Sequence, residues 1–177
     1  IGQTSASLGL IVAYGSILDE PALECLELGW FNLHYSLLPK YRGAAPVQRA
    51  LLAGERETGV TLFRLEKGID TGVIVRNLST EIAPDESAGE LLTRLSHLGS
   101  TLVLQELPAL LSGLGELEVQ KGEASKAPKL TRLDGRLDFN QTAEQVHNRV
   151  RACNPEPGAW ALCDEHELKI HQTRLTF

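Results

Sequence analysis

Three polar side chains in this sequence could together perform acyl transfer: Asn32, His34 and Asp70. Asn32 and His34 lie two positions apart at the end of an apolar segment, so on a β-strand they would project from the same face. Asp70 follows 36 residues after His34, between Gly68 and Gly72, and a flexible loop there could bring its carboxylate to the imidazole. An amide donor, an imidazole and a carboxylate are suited to acyl transfer.

Each group fits one step in the transfer of an acyl group from a carrier nitrogen to an amine. The attack builds negative charge on the carbonyl oxygen, and the Asn32 amide could stabilise that charge. His34 titrates near neutrality and could move the protons that the two nitrogens exchange. Asp70 could orient the imidazole, raise its pKa and hold a relaying water. This scheme requires no nucleophilic Ser or Cys.

The same residues also have a purely structural interpretation. Asn and His at a strand end could satisfy nearby backbone groups, and Asp between glycines is a common turn residue. The loop that follows favours chemistry, because residues 36–46 combine turn residues, leucines and basic side chains in a way that a plain connection would not need. A loop lined by leucines and backbone groups suits a flat heteroaromatic ligand.

The elements around these residues indicate an α/β fold. Apolar runs and helical periodicity predict a strand buried on both faces, a helix and a second buried strand, at residues 8–13, 20–28 and 30–34. This order predicts a right-handed parallel crossover, and ligands of open α/β sheets collect at the carboxyl ends of strands. Asn32 and His34 would lie at such an end.

The rest of the sequence predicts the end of this unit and the start of another. A helix beginning at Pro46 over 47–53, strands at 58–65 and 72–78, and a long helix from a capping box at Ser87 to about residue 111 complete the first unit. A helix over 142–153 and a hairpin at 159–163 and 167–172 open a small β domain. We predict a partial catalytic domain at 1–115, a linker at 116–135 and a partial C-terminal domain at 136–177.

Composition narrows the class of protein. Hydrophobic residues make up 42% and charged residues 23%, which is typical of globular proteins, and no apolar run approaches a membrane span. The net charge of −6 argues by itself against a nucleic-acid partner. Residues 119–136, however, hold five basic and two acidic side chains, a local charge of +3, which on charge alone favours a solvated linker.

Metal binding is not expected from the pattern of cysteines and histidines. The cysteines show no short paired spacing, so neither a disulfide framework nor a zinc site is indicated. The remaining histidines also lack the spacing of ligands. These residues are Cys25, Cys153 and Cys163, with His97, His147, His166 and His171.

Asn32-x-His34, the loop Ser36-Leu37-Leu38-Pro39 and Asp70 resemble the signature of the enzymes that use 10-formyltetrahydrofolate. The resemblance runs from about Gly9 to the last residue. It implies a Rossmann-like formyltransferase domain that lacks its N-terminal part, a linker, and a truncated OB-like β-barrel. It further implies catalytic roles for Asn32, His34 and Asp70, with 10-formyltetrahydrofolate as formyl donor and no metal. The folate would contact Ser36, Leu37, Leu38 and Pro39.

Within that family, residues 42–48 (Arg-Gly-Ala-Ala-Pro-Val-Gln) resemble the branch that formylates the amino group of methionyl-tRNA. This implies initiator methionyl-tRNA as the partner, a role in translation initiation, and tRNA contacts for Arg42, Lys126 and Lys129. We expect a cytoplasmic monomer of the bacterial type with no membrane partner. An organellar location stays open, because the true N-terminus is not visible.

Other acceptors stay open as alternatives. The acceptor could be an amino-sugar nucleotide or another small amine, such as glycinamide ribonucleotide, and Ala45 and Gln48 are the main argument against the former. A deformylase would pass the formyl group to water, and the linker and β domain argue against it. A non-catalytic RNA-binding protein is a further alternative. The family's first strands would precede Ile1 and most of its barrel would follow Phe177, so we expect this stretch to keep the triad without a competent tRNA site.

Overall fold

A computed structural model of the chain describes residues 5–15 and 17–176. Four strands form one mixed sheet in sequence order: β1 (Leu8–Val12), β2 (Gly29–His34), β3 (Glu57–Arg64) and β4 (Ile74–Glu81). β1 and β2 pair in parallel, as the crossover pattern predicts, whereas β2, β3 and β4 pair in antiparallel fashion. The α/β class predicted from the sequence is confirmed.

β1 differs from its prediction in its burial. Leu10 and Val12 are exposed, because β1 is an edge strand that pairs with β2 alone in the described sheet. The prediction that this strand is buried on both faces is therefore wrong.

The crossover helix α1 (Glu20–Leu23) is shorter than the predicted helix over 20–28. The Ala22 carbonyl accepts a hydrogen bond of 2.7 Å from the indole nitrogen of Trp30, on β2. A continuing α-helix would need that carbonyl for the backbone N–H of Leu26. A contact with the neighbouring strand thus replaces the helical hydrogen bond and ends the helix early.

Helix α3 (Ala88–Leu111) packs across one face of the sheet. Its predicted capping box is present, because the Ser87 N–H donates to the Glu90 carboxylate at 2.9 Å and Ser87 Oγ accepts from the Glu90 N–H at 3.4 Å. Phe31 and Leu33 of β2 belong to the core beneath this helix. Since side chains alternate along a strand, β2 turns its even-numbered positions, including Asn32 and His34, to the opposite face.

A second, smaller unit follows the polar segment. Its helix α4 (Ala143–Cys153) packs against α2 (Pro46–Leu52), which belongs to the first unit and begins at Pro46 as predicted. The hairpin of β5 (Ala159–Cys163) and β6 (His166–Ile170) follows α4. A small core joins α4 and this hairpin, formed by Leu137, Val150, Cys153, Ala159 and Ala161. Closure of this hairpin into an OB-like barrel stays a prediction. The domain limits at 115 and 135 also stay predictions, and the outer limits at 1 and 177 lie outside the described residues.

The segment predicted as a linker lies along the first unit. Lys126 pairs with Arg42 in an isolated β-bridge, and the Ala127 N–H donates to the Arg42 carbonyl at 2.6 Å. Gly43 permits this approach, because its φ is +125° and a Cβ at this position would lie 2.7 Å from the Ala127 carbonyl oxygen. A 3₁₀ turn at Arg132–Gly135 then leads to α4. Among the described helices, none is long and apolar enough to cross a membrane.

Candidate active site

β2 ends at His34, whose side chain is only 6% exposed. The Nε2 atom of His34 lies 2.9 Å from the carbonyl oxygen of Tyr41. Because a carbonyl oxygen only accepts hydrogen bonds, the neutral ring carries its hydrogen on Nε2. Nδ1 is then the nitrogen with the lone pair, and it is the atom that can take up a proton.

Tyr41 holds this carbonyl in place through its backbone and its phenol. Its φ of +60° lies in the left-handed region, and its N–H donates to Ser125 Oγ at 2.8 Å. The phenol donates to a Glu55 carboxylate oxygen at 2.9 Å. Burial and the Glu55 carboxylate raise the pKa of the Tyr41 phenol above its ordinary value, so this group stays protonated. The tautomer of His34 is therefore fixed by a well-anchored backbone group.

Asp70 occupies the connection between β3 and β4 and faces the imidazole. One of its carboxylate oxygens, Oδ2, accepts a hydrogen bond of 2.8 Å from the Gly43 N–H. The same oxygen lies 3.7 Å from His34 Nδ1, which is beyond the distance of a hydrogen bond. The structure thus brings together the imidazole and the carboxylate that the sequence predicts as partners, at the ring nitrogen that can take up a proton.

Opposing effects act on the pKa of His34. Burial is the largest of them and lowers this pKa, whereas the Asp70 carboxylate and the Tyr41 carbonyl raise it. The net result is a pKa below the ordinary value of 6.5. The ring is therefore neutral at neutral pH, with Nδ1 ready to accept a proton.

Asn32 lies on the same side of β2 as His34, as the alternation of the strand predicts. It pairs in register with Ile11 of β1 and Phe63 of β3, and its side chain is partly exposed. The Phe63 ring packs edge-on against the His34 ring, with 6.4 Å between centroids and an angle of 90°. An amide donor and an oriented imidazole therefore share one strand end.

Comparison with known proteins identifies the family. Residues 1–107 match the family model described as formyl transferase, and residues 129–176 match that of the formyl transferase C-terminal domain. The chain belongs to the formyl transferase family. This finding confirms the family to which the sequence motifs point.

Curated relatives of this formyl transferase chain include two methionyl-tRNA formyltransferases. The protein of Leifsonia xyli subsp. xyli is 47% identical over 169 residues, which cover 96% of this chain and 56% of the relative. The protein of Arthrobacter sp. (strain FB24) is 44% identical over 175 residues, which cover 99% of this chain and 57% of the relative. The chain thus spans little more than half the length of these relatives.

Among solved structures, the N-formyltransferase of Helicobacter canadensis, in complex with folinic acid and dTDP-3-aminofucose, is also similar. It superimposes with a TM-score of 0.75 at 26% sequence identity. The match covers 87% of this chain and 58% of that protein. The formyl transferase fold of the described residues therefore agrees with an experimental structure.

The loop that the sequence predicts to contact folate is largely buried in this formyl transferase. Ser36 is fully buried, and its Oγ donates to the Lys40 carbonyl at 2.6 Å. Leu38 and Pro39 are also buried, whereas Leu37 is partly exposed. The Ser36 hydroxyl closes the turn, and the contact of these four residues with folate stays a prediction.

A cavity of about 290 Å³ opens beside this turn. Its lining includes Leu37, Tyr41 and Glu55 on one side and Lys121 and Glu123 of the polar segment on the other. The lining does not include Asn32, His34 or Asp70, so this cavity is separate from the centre that holds the imidazole.

The three residues predicted to contact tRNA differ in their side-chain contacts. Arg42 directs its guanidinium at Gln120, with Nη2 2.6 Å and Nε 3.2 Å from the Gln120 amide oxygen. Lys126 and Lys129 are exposed. The last basic residues of the segment, Arg132 and Arg136, lie over the Trp160 ring instead. Both of these arginines are exposed as well, so the exposed positive charge extends along the whole segment.

Three groups at the centre were not found from the sequence: the Tyr41 carbonyl, the Gly43 N–H and the Gln120 side chain. The Gln120 amide nitrogen donates to the carbonyls of Asp70 and Gly72, at 2.8 Å each. Backbone groups have no residue signature, and Gln120 stands in a segment without periodicity or motif. No sequence signal marks them.

In the part of the chain that the structure describes, neither a cluster of metal-ligating side chains nor a cysteine lies at this centre. No group of three or more His, Cys, Asp and Glu side chains in that part could hold a metal ion. Burial raises the pKa of the Cys153 thiol to about 11, so this thiol is protonated and unreactive at neutral pH.

Proposed function

We propose that the intact protein transfers a formyl group from 10-formyltetrahydrofolate to the amino group of initiator methionyl-tRNA, as a step of translation initiation. Membership of the formyl transferase family supports the reaction class. The relatives named methionyl-tRNA formyltransferase, at 47% and 44% identity, support the acceptor. The observation that carries the proposal is the buried imidazole whose lone-pair nitrogen lies 3.7 Å from the Asp70 carboxylate.

Asn32 acts on the carbonyl oxygen of the formyl group, and His34 acts on the attacking and the departing nitrogen. When the amine nitrogen attacks the formyl carbon, the carbonyl oxygen becomes negative, and the Asn32 side-chain N–H donates to it. His34 Nδ1 takes the proton that the attacking nitrogen loses. The C–N bond to the carrier then breaks, and the imidazolium returns the proton to the departing nitrogen. The enzyme ends the cycle with a neutral imidazole.

Asp70 acts on the charged intermediate state of His34. When Nδ1 is protonated, the imidazolium lies beside the Asp70 carboxylate, which is held by the Gly43 N–H. Opposite charges at this distance in a buried site attract each other, so the carboxylate stabilises the state that carries the proton. Asp70 is thus an electrostatic partner, while the Tyr41 carbonyl sets the tautomer.

We also propose which residues bind the two substrates. We assign folate contacts to Ser36, Leu37, Leu38 and Pro39 by family resemblance. We assign tRNA contacts to Arg42, Lys126 and Lys129, and the exposure of both lysines supports this assignment. The division into domains at 115 and 135, a cytoplasmic location and a monomeric state are proposed on sequence grounds.

Acceptor choice tests the function directly. The intact natural protein, with labelled 10-formyltetrahydrofolate, is offered charged initiator tRNA, a dTDP-linked amino sugar, or no acceptor. We expect label on methionyl-tRNA, and we expect His34→Ala to lower the rate by about 10²- to 10⁴-fold. Label on the amino sugar alone would make the protein a small-amine formyltransferase, and release of formate without an acceptor would make it a deformylase. Tight tRNA binding without any transfer would overturn the enzymatic proposal.

A further inference from the structure

We propose that Gln120 is a positioning residue that holds the Asp70 loop, and through it the carboxylate, against His34. The inference rests on the proposed catalytic role of His34 and Asp70. The Gln120 amide nitrogen donates one hydrogen bond to the Asp70 carbonyl and one to the Gly72 carbonyl, each of 2.8 Å. Both N–H groups of the Gln120 amide thus donate to carbonyls of the Asp70 loop.

The Asp70 loop needs such support. Asp70 itself has a φ of +51°, in the left-handed region that a residue with a side chain adopts only when its surroundings hold it there. The residues just before it, from Glu66 to Ile69, are exposed. The Gly43 N–H anchors the carboxylate, and Gln120 anchors the backbone from the other side.

Arg42 fixes the direction in which the Gln120 amide points. Its guanidinium can only donate, and its Nη2 and Nε atoms both lie on the amide oxygen of Gln120. The amide nitrogen must then face the Asp70 loop. Arg42 is in turn fixed by its backbone, which pairs with Ser125 and Ala127. A continuous chain of hydrogen bonds therefore runs from the polar segment through Arg42 and Gln120 to Asp70.

Gln120→Met tests the inference, because methionine has nearly the same shape and neither donates nor accepts strongly. Two measurements are made on the intact natural protein: steady-state kinetics, and the pKa of His34 from NMR titration of its ring, with the resonance assigned from His34→Gln. We expect kcat to fall by up to about 100-fold with KM for the folate unchanged, since misplacement of a catalytic group mainly slows the chemical step. We expect the pKa of His34 to fall, in the direction that Asp70→Asn produces, because the carboxylate that raises it has moved away.

Gln120→Glu separates this role from simple anchoring of Arg42. A carboxylate still accepts from the Arg42 guanidinium, but it cannot donate to the carbonyls of Asp70 and Gly72. We expect kcat to be as low as in Gln120→Met. The matched control is Gln105→Met, an exposed glutamine on α3, which should leave both kcat and the pKa of His34 unchanged.

Two results would overturn the inference: a Gln120→Glu variant with the kcat of the natural protein, or a Gln120→Met variant in which the pKa of His34 does not move. The inference is also overturned if activity in Gln120→Met falls only because a smaller fraction of the variant is folded. The titration requires no substrate, so it decides the role of Gln120 even if the acceptor proposed above is wrong. Should Gln120→Met not fold, Gln120→Ala takes its place with the same expected directions.

Discussion

Two buried histidines in this protein lie beside aspartates, and their remaining contacts differ. His34 is 6% exposed with Nδ1 3.7 Å from Asp70, and His147 is 4% exposed with Nε2 3.5 Å from Asp85. By burial and distance the two pairs are nearly equal. Only one of them lies on the strand end that also carries an amide donor.

The hydrogen bonds of the rings separate the two pairs. Both nitrogens of His147 are bound, Nδ1 to Thr173 Oγ1 at 2.9 Å and Nε2 to the Pro84 carbonyl at 3.0 Å. His147 thereby ties α4 to the loop before α3 and to the chain after β6. His34 is bound through Nε2 alone and keeps Nδ1 for a proton. A ring nitrogen left without a hydrogen bond, rather than burial beside a carboxylate, marks the histidine that can do chemistry.

The two aspartate carboxylates also differ, in their exposure and in their other contacts. Asp70 is 13% exposed and is held by a backbone N–H, so its charge acts on His34 with little screening. Asp85 is 44% exposed, and its other oxygen lies 3.8 Å from Arg174. Water and a competing cation weaken its effect on His147.

Replacing each histidine with glutamine should give the largest contrast. In His34→Gln we expect kcat to fall by about 10²- to 10⁴-fold, because an amide cannot take up the proton. In His147→Gln we expect kcat per folded molecule to stay unchanged, while the free energy of unfolding falls by about 1–3 kcal/mol from lost buried hydrogen bonds. Formyl transfer in a single turnover and urea denaturation measure the two effects. A comparable loss of kcat in His147→Gln would remove the distinction between the pairs.

Replacing each aspartate with asparagine should give a smaller contrast. Asp70→Asn removes an interaction with a charged group, worth about 1.5–3 kcal/mol, so we expect kcat to fall by roughly 10- to 100-fold. The carboxylate raises the pKa of His34, so its removal lowers that pKa further. Since the neutral ring is the active form, the acidic limb of the profile of kcat/KM against pH should move to lower pH.

The matched variant Asp85→Asn should leave both kcat and the pH profile as they are in the natural protein. Titration of the acceptor amine is common to all the variants and cancels in the comparison. An unshifted acidic limb in Asp70→Asn would mean that His34 does not sense this carboxylate.

Features set by local sequence could be predicted. The alternation of β2 placed Asn32 and His34 on one face, and the capping box at Ser87 gave the start of the long helix, because each depends on residues a few positions apart. The approach of Asp70 to His34 was predicted from the flexibility that its flanking glycines give the loop. In these cases the physical cause lies within the segment itself.

Features set by contacts between distant segments could not be predicted. Helix α1 ends early because Trp30 takes the Ala22 carbonyl. Gln120 reaches Asp70 across 50 positions of sequence, from a segment whose polar composition suggests only a linker. The state of each ring nitrogen likewise depends on groups far along the chain, such as Thr173 for His147. The sequence therefore predicts the side chains of the candidate site but not the groups that hold them.

Thr173→Val should produce the smallest of these effects, and it tests the difference in ring hydrogen bonds between His147 and His34. Valine keeps the shape of threonine but leaves Nδ1 of His147 without its partner, so His147 then resembles His34 in having one bound nitrogen. We expect the free energy of unfolding to fall by about 0.5–1.5 kcal/mol, with kcat unchanged. Thr101→Val, on the exposed side of α3, should also have no effect on kcat. In the double variant His34→Gln with Thr173→Val, formyl transfer should stay as low as in His34→Gln alone. We expect this result because a freed ring nitrogen alone does not suffice, and His147 has neither the amide donor nor the held carboxylate that Asn32 and Asp70 place beside His34.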